Sequence, residues 1–226
     1  MKNIIVTGTS RGIGLESVKI FAAMGYQVLA ISRKISTELS TLENVHCLSV
    51  DLTKEDDLKQ VCEFIEQRWA GKVDILVNNA GKLINKPFEE LTKEDFLEVY
   101  NVNVFGVVGL VQVCIPFMSV NSHVVTISSM GGVQGAMKFG GLAAYSSSKG
   151  AVSILSELLA EEYKDRGISF NVIALGAVQT EMLEEAFPGY QAPLMPEEMA
   201  EYICDFALNG NKYFNGKVLQ ASSTTP

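Results

Sequence analysis

Tyr145 and Lys149 stand four residues apart, the spacing that brings two side chains onto one face of a helix. An ammonium beside a phenol draws its pKa down from near 10 toward working pH, a change worth roughly 4 kcal/mol. Such a tyrosine can give and take a proton at a reacting oxygen. Ser129, with Ser128 as the alternative, ends an apolar run and suits a hydroxyl that donates to an oxygen gaining charge. One lost donor in that role costs about 2.7–4 kcal/mol. Asn103 falls inside a long helical pattern, where a buried amide must find a partner.

A second set lies near the N-terminus, where an apolar run leads into Thr7-Gly8-Thr9-Ser10-Arg11-Gly12-Ile13-Gly14. Gly8, Gly12 and Gly14 fit a tight turn, a close approach to pyrophosphate, and the packing of a helix on a strand. The helix that opens there directs the positive end of its dipole, at Ser10 to Ile13, toward phosphate. After the second apolar run, Ser32-Arg33-Lys34 stands where an acidic residue would hold the ribose of NAD. A cation there suits the 2′-phosphate of NADP, and Arg11 could close on it from the other side. Asp51, with Leu52 beside it, is placed to accept from an adenine amine, although a helix-capping carboxylate would occupy the same position. Asn78-Asn79-Ala80-Gly81 follows the fourth run.

These groups need strand ends and helix starts to hold them. Apolar runs at 4–6, 28–31, 45–50, 73–77, 124–127, 168–174 and 218–219 are rich in β-branched residues, as strands covered on both faces are. Helical patterns lie between them at 13–24, 55–69, 93–118, 144–166 and 196–208. Thr53 ahead of Asp56, Thr92 ahead of Asp95, and Pro196 followed by two glutamates mark helix starts. Strands alternating with helices predict a parallel sheet with right-handed crossovers and ligands at its carboxyl edge. The Gly-rich stretch 131–141 falls at that edge.

A chain of 226 residues, 47% of them hydrophobic, suits one domain over 1–226 with a substantial core. The 18 Lys and Arg against 26 Asp and Glu give −8, which argues against nucleic acid and anionic membrane as partners. The first eight residues lack the apolar region of a signal peptide, so a cytoplasmic protein is expected. The longest apolar stretch, 102–118, is interrupted by Asn103, Gly106, Gly109, Gln112 and Pro116, and reads as a buried or interface helix. Cys47, Cys62, Cys114 and Cys204 form no CxxC pair, and His46 and His123 stand alone, so four free buried thiols and no metal are expected. Residues 220–226 read as a short polar tail.

Taken in order, TGxxxGxG, NNAG, a helical Asn, a strand-end Ser and YxxxK resemble the short-chain dehydrogenase/reductase family over nearly the whole chain. That resemblance implies a Rossmann-type, doubly wound parallel α/β sheet of about seven strands, order 3-2-1-4-5-6-7. It implies NADP(H), preferred over NAD(H), held by Gly8, Ser10, Arg11, Gly12, Ile13, Gly14, Ser32, Arg33, Asp51, Leu52, Asn79, Ala80, Gly81, Tyr145, Lys149, Gly176, Val178 and Thr180. Asn103, Ser129, Tyr145 and Lys149 would be the catalytic set, with Asn103 holding a water that links Lys149 to solvent and Asn78 bracing the fourth strand. The family's serine usually takes the second place of its pair, which favours Ser129. Leu175 stands where the family usually has proline, which would loosen the nicotinamide end, and the loop from Met130 to Ala144 is longer than the family norm.

The segment after Gly176 sets the substrate in this family. Met182, Leu183, Phe187, Tyr190 and Met137 suggest a small apolar pocket, or simply a loop sealed onto the sheet. A general NADPH-dependent carbonyl reductase ranks first. A 3-oxoacyl reductase acting on acyl carrier protein ranks second, because Lys164 and Arg166 fit an acidic partner but residues 116–122 carry no cation and the net charge repels one. A dinucleotide-binding sensor or scaffold without turnover is the reading from a different class. Val107, Val111 and Leu155 extend the apolar surface of two helices beyond one face, which suggests pairing with a second subunit, and the family resemblance implies a homodimer or homotetramer.

Overall fold

The structure, a computed structural model, describes residues 1–223. Seven strands, β1 (Asn3–Thr7), β2 (Gln27–Ser32), β3 (Val45–Ser49), β4 (Ile75–Asn78), β5 (His123–Ser129), β6 (Ser169–Leu175) and β7 (Lys217–Ala221), form one parallel sheet. Its order is β3-β2-β1-β4-β5-β6-β7. This is the order expected of the Rossmann-type arrangement, with the chain reversing direction at β1 and β4.

The period-two alternation of the strands divides the core between two faces. Ile4, Val6, Val28, Ile75, Val77 and Ile173 pack with helices α1 (Gly12–Ala23) and α7 (Pro196–Asn209), through Val18, Phe21, Met199 and Ile203. Ile5, Leu29, Ile31, Leu76 and Val124 pack on the opposite face with α2 (Glu55–Trp69), α4 (Gly106–Cys114) and α5 (Ala143–Glu162). Both faces of every central strand are therefore buried, which is why the sequence shows unbroken apolar runs.

The expected helix over 93–118 is one helical run with two irregularities. It begins as α3 (Lys93–Tyr100), capped by Thr92 and Asp95, which exchange backbone-to-side-chain bonds of 3.1 and 3.0 Å. A π-turn at Asn101–Phe105 follows, then α4, and a 3-10 turn at Ile115–Phe117 around Pro116. The run Lys93–Phe117 is long and apolar enough to cross a membrane by length and composition. Here Val107, Leu110, Val111 and Cys114 are buried against the sheet.

Several expectations need correction. Thr53 does not cap α2; its N–H and hydroxyl both go to Asp51, and Lys54 stands at the N-cap with no side-chain bond. Only Cys114 and Cys204 of the four free thiols are buried; Cys47 lies on β3 at the edge of the sheet and Cys62 on α2, both partly exposed. Val107 and Val111 belong to the core and Leu155 is half-buried; the exposed apolar side chains of those helices are Phe105, Ile154 and Leu158. Gln220 and Ala221 of the expected tail end β7, where Ala221 accepts from Gly176 N at 3.0 Å. Residues 224–226 of that tail lie outside the described residues.

At the amino end of β5, His123 is buried with both ring nitrogens engaged. Nδ1 lies 3.0 Å from the Ala207 carbonyl and Nε2 lies 3.0 Å from Asn171 Nδ2, so the neutral Nδ1–H tautomer satisfies both contacts. Asn171 cannot turn its oxygen inward, because that oxygen accepts from Lys217 N. Burial pushes the imidazole down to about 4, against the Ala207 bond that favours the cation. The unfolded chain therefore binds a proton that the native chain refuses between about pH 6.5 and 4, and stability falls as pH drops through that window. Between pH 7 and 5 this group alone should cost about 2 kcal/mol. Urea unfolding of wild type and His123→Gln at both pH values should show the difference between them changing by that amount.

Candidate active site

The carboxyl ends of the central strands open into a cleft of about 860 Å³. At its floor the chain leaves β1 through Gly8, whose φ of +72° favours glycine and whose added Cβ would lie 2.8 Å from Ala80 Cα. A Cβ on Gly14 would lie 2.3 Å from the Gly8 carbonyl, so the start of α1 presses directly on the turn. Arg11, at the N-cap of α1, makes no side-chain cap, which leaves the amides of the first turn free to meet an anion. The turn is held to β4 by Thr7, whose Oγ1 accepts from Asn79 N (3.0 Å) and Ala80 N (2.9 Å), while Asn79 Nδ2 donates to Thr7 O (2.9 Å). Asn79 is thus the brace expected of Asn78. Asn78 has a long 3.4 Å contact to Thr126, and its buried Oδ1 has no partner.

Ser10, Gly12, Ile13, Ser32, Arg33, Asp51, Leu52 and Gly81 line the cleft along with Gly8, Asn79 and Ala80. Arg33 and Lys34 are exposed, and neither has an ion pair among the described residues. Burial pushes the Asp51 carboxyl up, but two hydrogen bonds from Thr53 and the charges of Arg33 and Lys54 hold it below its ordinary value. Arg11 turns away from Arg33. Its guanidinium makes a forked pair with Glu185 on α6 (Glu181–Ala186), a short acidic helix laid across the mouth, and does not meet Arg33 over a shared anion position.

At the other end, Tyr145 and Lys149 share a face of α5, with Nζ 5.8 Å from the centre of the tyrosine ring. α5 reaches β5 closely because Gly132 lies against it; a Cβ there would be 2.7 Å from Gly150 N. Ser129 accepts from Gly131 N at 3.2 Å and its hydroxyl bonds the Tyr145 phenol. Ser128 is buried and bonded to the Lys149 carbonyl at 3.0 Å. Of the two serines, it is Ser129 that meets the tyrosine.

The expected lowering of the phenol by Lys149 is not what this geometry produces. Burial pushes Tyr145 above its ordinary 10, and the Ser129 bond only partly offsets that. Lys149 directs its Nζ to the Ile127 carbonyl at 2.8 Å, and burial pushes it down to about 8. Asn103 sits behind the lining, within the π-turn, and a Cβ on Gly81 would lie 3.6 Å from both Asn103 Oδ1 and Lys149 Nζ. Its amide donates to Lys82 O and Ser148 Oγ, both at 2.9 Å, and its oxygen accepts from Lys82 N at 2.7 Å. Both amide protons are therefore used within the protein.

Gly176, Val178 and Thr180 lie along the far wall. Thr180 caps α6 by accepting from Leu183 N at 3.3 Å, and Leu175 is buried at the end of β6. α6 itself was not anticipated, although a threonine followed by a glutamate is an ordinary helix start. Lys82, Glu98 and Met130 also line the cleft unanticipated.

With a glycine turn, a strand-end serine and a tyrosine–lysine pair opening on one cleft, the sequence comparison becomes decisive: the family described as short chain dehydrogenase matches residues 2–191. The chain belongs to the short-chain dehydrogenase family. It is 30% identical over 237 residues to a 3-oxoacyl acyl-carrier-protein reductase of Thermotoga maritima, spanning 96% of this chain and 95% of that one. It is 31% identical over 183 residues to a short-chain dehydrogenase of Talaromyces islandicus, covering 80% of this chain and 64% of that protein's length. Among solved structures, ElxO with NADP bound superposes with a TM-score of 0.85 at 28% identity, covering 97% of this chain and 96% of ElxO. Short-chain dehydrogenases are oxidoreductases that use a nicotinamide cofactor.

A buried ammonium with one protein acceptor lowers stability. Between about pH 8 and 10.5 the unfolded chain holds a proton that native Lys149 has lost, so stability rises with pH there and the full cost is present below 8. Lys149→Met should therefore unfold at higher urea than wild type at pH 7, and its advantage should shrink by roughly 2–3 kcal/mol between pH 7 and 10.

Proposed function

We propose that the chain is an NADP(H)-dependent reductase of carbonyl groups, with Tyr145 exchanging a proton with the substrate oxygen. The observation that carries this reading is Tyr145 bonded to Ser129, with Lys149 on the same helix face, in the cleft that the glycine turn also opens into. The residues present fit the cofactor: free amides at the start of α1, a turn that a Cβ would fill, and two unpaired cations after β2. Ser10, Gly12, Ile13, Asn79, Ala80, Gly81, Gly176, Val178 and Thr180 would hold it, with Lys149 at its ribose. Bound there, the nicotinamide supplies or accepts the hydride.

The protein's own groups supply the proton and its placement. A phenol raised above 10 is protonated at neutral pH, so Tyr145 holds the proton that a reduced carbonyl must gain. Ser129 is held at the strand end by the bond it accepts from Gly131 N, and its own proton is there to donate to the same oxygen. Lys149, near half-ionised at about pH 8, stands behind the phenol and can return a proton to it. Asn103 acts as a positioning residue, tying the Gly81–Lys82 segment to α5 through Ser148.

Arg33 and Lys34 favour NADP(H) over NAD(H), and the NADP bound to ElxO supports that preference. A general reductase remains ahead of one acting on acyl carrier protein. Arg166 donates to the Ile115 and Met118 carbonyls and Lys164 pairs with Glu161, so the two cations that favoured an acidic partner are engaged within the chain. Exposed Phe105, Ile154 and Leu158 suit self-association into a dimer or tetramer.

At equal salt, NADPH should bind at least tenfold tighter than NADH, and Arg33→Ala should weaken NADPH about tenfold while moving NADH less than twofold; equal affinities in wild type would exclude the preference. In NADPH consumption over pooled ketones and aldehydes, Tyr145→Phe should lose 10²- to 10⁴-fold in turnover while binding NADPH normally. Unchanged rates would remove the proton-transfer role, and tight binding without turnover by wild type would favour a sensor.

A further inference from the structure

Among the described residues, every cation near the Tyr145 end of the cleft is already engaged. Lys82 pairs with Glu98 at 2.8 Å and Lys86 with Asp95 at 2.9 Å. Lys149 is buried against the Ile127 carbonyl. Lys138 is outside the lining, its ammonium folded back onto the Val133 and Ala136 carbonyls at 2.5 and 3.0 Å. Glu98 lines the cleft as a carboxylate, whereas Glu181 of α6 lies against Gly12 and Glu185 against Arg11, at the glycine turn. Arg33 and Lys34, which have no ion pair among the described residues, are at the opposite end, after β2.

The walls around Tyr145 are apolar. Met182, Leu183, Phe187 and Tyr190 come from α6 and the turn after it, and Met137 and Phe139 from the loop between β5 and α5. Met137 and Phe139 are about half exposed, at 48% and 52%, so an apolar ligand seated between that loop and α6 would remove that surface from water. Methionine and aromatic side chains adapt to ligands of varied outline.

We infer that the substrate is an uncharged, apolar carbonyl compound, and that the site rejects oxo acids, phosphorylated carbonyls and other anions. This inference rests on the reductase reading. A carboxylate seated among these walls would be desolvated with no free cation among the described residues to receive it.

Three ketones with one reacting group test it: acetophenone, 4-acetylbenzoate and 4-acetyl-N,N,N-trimethylanilinium. Their turnover by the NADPH-loaded protein is divided by their rates with borohydride, which removes differences in electrophilicity. Binding to NADPH-loaded Tyr145→Phe is measured in parallel by saturation-transfer NMR. Acetophenone should exceed the benzoate at least tenfold in normalised kcat/KM and should bind more tightly. Glu98→Gln, which frees Lys82, should narrow that gap at least threefold while moving acetophenone less than twofold. A benzoate that is turned over or bound as well as acetophenone overturns the inference and leaves the Tyr145 chemistry standing. The expected order in binding with no Tyr145-dependent turnover of any ketone overturns the reductase reading and upholds the ligand class. Failure of all three to bind at millimolar concentration overturns the inference.

Discussion

The seating of α5 on the end of β5 is the contact on which the rest of the site depends. It removes the Lys149 ammonium from water and gives it one protein acceptor, the Ile127 carbonyl at 2.8 Å. Nothing about that exchange favours folding by itself. The helix is held down by neighbours: Ser128 and Ser153 both donate to the Lys149 carbonyl, at 3.0 and 2.8 Å, and Gly132 allows the loop after β5 to touch the helix backbone. Ser128 and Ser129 thus divide the work. The first fixes the helix to the strand, and the second faces the cleft beside the phenol that the helix carries.

The cleft also separates charge along its length. Its cradle end offers free amides and, after β2, two cations without an ion pair among the described residues, whereas its tyrosine end has apolar walls and cations already engaged. Arg11 joins the two. Its pair with Glu185 is exposed on both sides, and such pairs are worth about 0–1 kcal/mol. α6 is therefore tied to the glycine turn by a contact that opens at little cost, while Thr180, at its N-cap, packs close to Gly12.

Most of the scaffold was legible because its rules are local. Residues 55–69 form α2 with no change of bounds, and the Thr92–Asp95 box closes as its spacing requires. The seven apolar runs became seven strands in the expected order. What was not legible depended on who competes for a group. Thr53 satisfies Asp51 before it can cap a helix, and Glu185 takes Arg11 before any anion does. Spacing placed Tyr145 and Lys149 together, yet could not tell that the ammonium would turn to a strand carbonyl and leave burial to set the phenol's pKa. The π-turn at Asn103 was hidden as well, since one widened turn leaves the helical pattern almost unchanged.

Two buried titratable groups show why those failures gather at one edge. His123, at the amino end of β5, has a partner for each ring nitrogen, and its partner Asn171 is itself fixed by Lys217. Lys149, at the carboxyl end of the same strand, has three protons to donate and one acceptor in the protein. The carboxyl edge also holds the orphaned oxygen of Asn78 and the π-turn of Asn103. Trp69 Nε1, the other orphan, is on α2 and fits no such pattern. A core selected only for stability would treat both ends of β5 as it treats His123. Lys149 instead keeps spare hydrogen-bonding capacity beside the tyrosine, where it is useful to a molecule that must bind and react there.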